Sequence, residues 1–253
     1  MIVFDHVIKS LGGRPVLNDL SFEIRKGETF FIVGPSGVGK SVTLKHMVRL
    51  LTPDAGDIRV AGESVVMADE PGLERARERF GYLFQAGALL AWLNVADNVA
   101  LPLVEKTTME ADAIRDKVQK TLAMVGLEKD GAKYPSEISG GMRKRAGLAR
   151  AIIRDPEIVL YDEPTSGLDP VSSRTIDELI DHLRVTLEVT SVVVTHDLHS
   201  ALSIGSRIAM LIGGRLVELA EPKAFVESQQ EDVRAFLESQ YITKRGAWER
   251  GGG

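Results

Sequence analysis

The chain has 253 residues, enough for one large domain or a core with an inserted subdomain, and its 44% hydrophobic and 26% charged residues are ordinary for a globular protein. A formal charge of −5 argues against a general nucleic-acid-binding surface, and the lack of cysteine excludes disulfides and thiolate metal sites. No apolar run approaches the ~20 residues that span a bilayer, and the first residues lack the basic and apolar segments of a secretory leader.

Residues 2–8 and 16–25 alternate enough to predict two strands, with Gly12-Gly13 and Arg14-Pro15 as turn material between them. The run Thr29-Phe30-Phe31-Ile32-Val33 predicts a third strand, which enters Gly34-Pro35-Ser36-Gly37-Val38-Gly39-Lys40-Ser41. From Val42 onward apolar residues recur at helical spacing. Strand, glycine turn and helix are the context that a phosphate-binding loop requires. Glycines let the backbone curl so that successive N–H groups point inward, and the helix turns its positive end toward the same point. Lys40 would then reach the β- and γ-phosphates of a nucleotide, and the Ser41 hydroxyl would ligate Mg²⁺.

Pro53 and Gly56 predict that this helix stops near Leu51. Residues 57–62 read as a short strand, 73–79 as a short surface helix, and 80–85 as a buried strand ending on Gln85. The stretch 86–104 is apolar with small residues, and 109–125 predicts an amphipathic helix with Ile114, Val118, Leu122 and Val125 on one side. A further helix begins near Ser139, so residues 86–156 are expected to form a helical insertion. The β-branched runs at 158–162 and 191–195, separated by helix-like sequence at 170–187, favour parallel strands with crossover helices. Strands are expected at 207–212 and 215–220, then helical sequence to residue 240, and the glycines at 251–253 read as a flexible end.

Asp162 ends an apolar strand and Glu163 follows it. In doubly wound sheets ligands sit beyond the carboxyl ends of strands, so Asp162 can hold Mg²⁺ through its water shell and Glu163 can orient or activate a water for attack on the γ-phosphate. His196, at the end of another apolar strand, is a candidate to hydrogen-bond that phosphate, and Asp197 a helix cap. Ser139-Gly140-Gly141 opens a helix, where serine and exposed N–H groups can form an anion site. The basic residues Arg143, Lys144, Arg145, Arg150 and Arg154 read most simply as a solvated helix face.

As an ordered set, residues 34–41, Gln85, Ile138-Ser139-Gly140-Gly141, 158–163, Ser166-Gly167-Leu168-Asp169 and His196 resemble the nucleotide-binding domain of an ABC transporter. The resemblance spans residues 2–220. It implies a P-loop α/β core with an N-terminal antiparallel β subdomain and an inserted helical subdomain. The core would comprise 1–85 and 157–220, the helical subdomain with the signature 86–156, and a C-terminal helical extension and tail 221–253. By the resemblance ATP is held by residues 34–42, Val42 included, by the signature Ser139, Gly140 and Gly141, and by Asp169 of the D-loop. Mg²⁺ falls to Ser41, Gln85 and Asp162, and catalysis to Glu163, the switch His196 and Gln85 of the Q-loop. Met142 stands where most members carry glutamine, and Leu11 where many carry an adenine-stacking aromatic.

Residues 84–90 and 139–150 are similar to the ATPase subunits of Mla-type, MCE-associated systems, which move phospholipid between bacterial membranes. This implies a homodimer on the cytoplasmic face of the inner membrane, with permease, MCE-domain and small accessory subunits, a lipid substrate handled by the partners, and no nucleic acid. Part of the segment 86–93, with Val95 and Val99, is expected to form a groove for a short helix of the permease. A small-solute, amino-acid-type importer and a soluble ABC ATPase of translation or DNA repair are the alternatives.

Overall fold

The computed structural model describes residues 1–240 and Ile242, so the expected glycine tail lies outside the described residues. In chain order the elements are β1 (Ile2–Leu11), β2 (Arg14–Ile24), β3 (Thr29–Val33), α1 (Lys40–Met47), β4 (Ala55–Val60), β5 (Glu63–Ser64), α2 (Glu70–Glu78) and β6 (Phe80–Leu83). Then come α3 (Val95–Lys106), α4 (Ala111–Met124), a 3-10 turn (Pro135–Glu137), α5 (Gly140–Ile152), β7 (Ile158–Asp162), α6 (Pro170–Leu187) and β8 (Thr190–Thr195). The last are α7 (Leu198–Ile204), β9 (Arg207–Ile212), β10 (Arg215–Ala220), α8 (Pro222–Val226) and α9 (Glu231–Ser239). Two compact units result: residues 1–24, 29–66 and the described residues from 195 on form one, and 25–28 with 67–194 the other.

In the first unit β2, β1, β4 and β5 make an antiparallel sheet, with Phe4 opposite Phe22 and Ile2 between Ile24 and Val60. Alternation sends these apolar side chains to one buried face, where Phe4 stacks on Phe22 at 4.6 Å and Phe22 on Phe30 of β3 at 5.5 Å. Every residue of β3 is buried, as a strand covered on both faces must be; β9 pairs with it in parallel and β10 adds antiparallel to β9. The helix α1 ends at Met47, short of the expected Leu51. Arg49 enters the left-handed region at φ 47°, and Leu50 N–H returns to the Lys45 carbonyl at 2.8 Å, which closes the helix before Pro53 can act.

The second unit carries β6, β7 and β8 in parallel, with α6 as the crossover between the last two. Here α2 starts before the expected residue 73, because the Asp69 carboxylate accepts the Gly72 N–H at 2.9 Å and Pro71 fits the first turn. Helices α3, α4 and α5 share a core that includes Val95, Val99, Leu103, Val118, Leu122 and Ala146. Val95 and Val99 are both 0% exposed, so neither lines a surface groove; burying each valine gives roughly 1.5–3 kcal/mol, and the helix period turns both inward.

Candidate functional site

In the first unit β3 delivers the chain to residue 34 with no slack. Gly34 has φ 147°, and a Cβ there would lie 2.3 Å from the Leu211 carbonyl oxygen; Gly39 has φ 108°, and its Cβ would lie 2.9 Å from the Val16 oxygen. The loop crest at Pro35, Ser36 and Gly37 is exposed, Val38, Ser41 and Val42 are half-buried, and Lys40 is buried. Lys40 Nζ donates to the Gly34 and Pro35 carbonyls at 2.8 and 3.1 Å, which folds the ammonium over the loop. The Thr43 N–H and hydroxyl both reach the Gly39 oxygen, at 2.8 and 3.0 Å, and pin the start of α1. That helix opens with no side-chain cap and no acidic residue in its own first turn, so its sequence leaves the positive end free to favour an anion in the loop. His196 is exposed, between Thr195, whose hydroxyl accepts the Asp197 N–H at 3.0 Å, and Asp197, which caps α7 through the His199 N–H at 2.9 Å. Leu11 is exposed at the end of β1.

In the second unit Asp162 and Glu163 leave β7 only 6% and 8% exposed. Glu163 adopts the left-handed conformation at φ 49°, which costs a side-chain-bearing residue about 1–2 kcal/mol. Hydrogen bonds hold it there: its N–H donates to the Val194 carbonyl at 2.9 Å, and its carbonyl accepts from the Ser166 N–H at 3.2 Å and from Lys144 Nζ at 2.9 Å. The Tyr82 hydroxyl sits 3.5 Å from Asp162 Oδ2, and burial together with the Asp162 charge pushes the phenol pKa up and keeps it a neutral donor. The strand β6 stops at Leu83, before the expected Gln85, because residues 84–87 turn back with Gly87 N–H on the Phe84 carbonyl at 2.8 Å. Gln85 is exposed, and its carbonyl also accepts from Lys144.

The basic run is a solvated face only in part: Arg143 is exposed and Arg145, Arg150 and Arg154 are half-buried, but Lys144 is buried. Lys144 is 5% exposed, and burial lowers its pKa against the opposing charges of Glu163 and Asp162. Arg143 donates to the Ile138 carbonyl at 2.7 Å, Arg145 to Val125 and Gly126 at 2.7 and 2.9 Å, and Arg150 to Ala88 and Gly87 at 2.7 and 3.1 Å. These cations satisfy carbonyls where helices and loops end. The sequence carried one signal for Lys144: it shares a helix face with Gly147 and Leu148, three and four residues on, and both are buried.

Ser139 caps α5, its Oγ accepting the Met142 N–H at 3.2 Å. Asp169 caps α6: Oδ1 accepts the Val171 and Ser172 N–H groups, each at 3.0 Å, and Oδ2 accepts the Ser172 hydroxyl at 2.5 Å. These bonds, the Ser172 hydroxyl foremost, hold the Asp169 carboxyl below the usual carboxylate range. A Cβ at Gly140 or Gly141 would meet Leu168 or Ser172 at an ordinary 3.5 or 3.6 Å, so packing within the chain does not demand these glycines. The second unit thus gathers Gln85, Asp162 and Glu163 around Lys144 and Tyr82, and sets the signature glycines beside the Asp169 cap. Among the described residues no group of three or more His, Asp or Glu could enclose a metal ion, and no helix is long and apolar enough to cross a membrane.

The profile of the ABC transporter family matches residues 17–166. The chain is 42% identical to a probable ribonucleotide transport ATP-binding protein, mkl, of Mycobacterium tuberculosis, over 92% of this chain and 65% of that one, so it spans under two thirds of that relative's length. It is 38% identical to the intermembrane phospholipid transport ATP-binding protein MlaF of Haemophilus influenzae, over 90% of this chain and 87% of the relative, and 37% identical to the methionine import ATP-binding protein MetN 2 of Pseudomonas entomophila, over 94% and 72%. Among solved structures, the dimeric post-hydrolysis cassette MJ0796 bound to ADP and Pi superposes with a TM-score of 0.80 at 31% identity, over 88% of this chain and 99% of that one. On the profile match and these identities, with the α/β architecture in common, the chain belongs to the ABC transporter family of ATP-binding cassettes.

Proposed function

We propose that this chain binds and hydrolyses ATP to drive a separate permease that moves phospholipid between bacterial membranes, working as a homodimer on the cytoplasmic face of the inner membrane. The observation that carries the enzymatic reading is the buried Asp162-Glu163 pair, with Glu163 fixed by hydrogen bonds in a conformation it would not otherwise adopt. In this reading Lys40 and the N–H groups of residues 34–42 bind the phosphates, Glu163 orients the attacking water, and His196 hydrogen-bonds the γ-phosphate. Ser41, Asp162 and the Gln85 amide oxygen are hard oxygen donors of the kind that suit Mg²⁺, which takes one or two carboxylates plus phosphates and water, and the nearly buried Asp162 carboxylate fits that demand. When bound, Mg²⁺ would neutralise charge developing on the phosphates. Because packing within the chain does not demand Gly140 or Gly141, their lack of side chains supports close approach of a phosphate to Ser139 from outside the chain, which would be the nucleotide of a second copy, with Asp169 shaping that contact.

The lipid assignment is supported by the similarity to MlaF and by Met142 in the signature. The similarity to MetN 2 supports an amino-acid importer as the second reading. Lipid co-purifying with the membrane partner would favour the first, and methionine-stimulated ATP turnover the second. The ATPase assignment is tested by Glu163→Gln, expected to keep ATP affinity and lose hydrolysis by about 10²-fold or more, and by Lys40→Ala, expected to lose binding itself. Near-normal turnover in the glutamine variant would remove Glu163 from its role.

A further inference from the structure

We propose that Lys144 is a positioning residue for ATP hydrolysis: one ammonium group ties the main-chain carbonyl of Gln85 to that of Glu163, and so fixes the loop from which the Glu163 carboxylate acts. This inference rests on Glu163 being the group that orients the attacking water. An ammonium group 5% exposed is expensive unless acceptors replace its water, and here the Gln85 and Glu163 carbonyls do so, with the carboxylates of Glu163 and Asp162 close enough to favour its charge.

The two carbonyls belong to segments that leave the paired strands β6 and β7, whose ladder ends at Leu83 and Tyr161, and Lys144 joins them beyond that ladder. Glu163 is strained at φ 49°; Val194 and Ser166 hold it through backbone bonds of 2.9 and 3.2 Å, while Lys144 holds it from α5. On the other side α5 already grips the turn after Gln85. Arg150 binds the carbonyls of Gly87 and Ala88, and a Cβ on Gly147 would come 2.9 Å from the Gly87 oxygen, so helix and turn approach backbone to backbone. Lys144 extends that grip to Glu163. Displacing the Gln85 carbonyl must then release or drag the Glu163 backbone, and the same helix carries Ser139 as its cap. A link of this kind acts on the placement of a reacting group, where an error of about 1 Å can cost 10²-fold in rate, and leaves phosphate binding by residues 34–41 alone.

The test compares the full chain as wild type, Lys144→Met, Lys144→Gln, Lys144→Arg and Glu163→Gln. Steady-state hydrolysis, ATP affinity by displacement of a fluorescent ATP analogue, and amide exchange at residues 84–88 and 163–166 are measured. Methionine keeps the apolar stem and removes the donors. We expect kcat to fall about 10- to 100-fold with KM and ATP affinity changed less than about threefold. Exchange should rise at both segments together, and glutamine or arginine should recover part of the rate. Should Lys144→Met fail to fold, the same kcat-against-KM split is read on the glutamine variant, whose side chain is shorter and uncharged and so holds the two carbonyls less well than the ammonium. Wild-type kcat in a folded Met or Gln variant, rate loss matched by an equal loss of affinity, or exchange rising only within α5 overturns the proposal. Loss of hydrolysis in Glu163→Gln beside wild-type hydrolysis in Lys144→Met sinks Lys144 alone, and normal hydrolysis in Glu163→Gln sinks the underlying role of Glu163.

Discussion

Gly34 and Gly37 lie in one loop for different physical reasons, and alanine separates them. At Gly37, φ 80° with no atom within 4 Å of a new Cβ, the substitution meets only the left-handed penalty of about 1–2 kcal/mol. At Gly34 the Cβ would strike the Leu211 main-chain oxygen at 2.3 Å, so strand β9 or the loop must move. Gly37→Ala should therefore fold with a modest fall in Tm, whereas Gly34→Ala should lose more than about 2 kcal/mol and bind ATP poorly; equal Tm values for the two variants would contradict the contrast. These glycines were legible because their spacing records a backbone constraint. Lys144 was not, because a lysine between two arginines looks like any solvated charge until the loops that supply its carbonyls are in place.

At the scale of elements, most strands and the crossover helix α6 followed from apolar patterning, but β5 did not, Arg14 and Pro15, expected in the turn, open β2, and the stretch after Gln85 was not foreseen. Its apolar residues suggested a partner's groove, yet the helix period buries Val95 and Val99, and the buried Asn98 side chain binds the Leu90 N–H at 2.7 Å and the Leu90, Leu93 and Asn94 carbonyls at 3.0–3.1 Å. One amide thus spools the loop onto α3, a long-range choice that composition does not announce. A nearby hollow of about 360 Å³ is lined by apolar Leu101 and Pro102, by Tyr82 and Phe84, and by the charged Glu105, Lys106, Arg150 and Arg154, a mixture that suits an amphipathic helix, and the proposed permease is expected to dock there. Accordingly Leu101→Asp should keep folding and ATP binding and lose co-purification with the permease. Val99→Asp, which buries an uncompensated charge, should lose about 3 kcal/mol or more and unfold the helical core first. Undiminished co-purification of the Leu101 variant would exclude the hollow as the docking face.

For the whole molecule, the chain supplies one phosphate loop and one signature, each read from sequence as a compact motif, but neither motif says which copy's nucleotide the signature meets. A twofold pair satisfies two identical composite sites with one self-complementary interface, and an open chain of copies would leave its ends unsatisfied. Lys40→Ala damages only the loop, and Ser139→Arg only the signature. If the loop of one copy closes on the signature of the other, each variant alone has two broken sites, while their heterodimer has one doubly broken site and one intact. Random mixing makes half the dimers heterodimers with one good site of two, so turnover should recover to about a quarter of wild type, provided that single sites turn over independently. The heterodimer should also be stabilised by ATP when Glu163→Gln blocks hydrolysis in the chain carrying the intact loop, since a nucleotide bound across the interface favours association. If Ser139 served the nucleotide of its own chain, every protomer in the mixture would stay broken; turnover no higher than that of either variant alone, together with crosslinks from Ser139 to the nucleotide of the same chain, would show it.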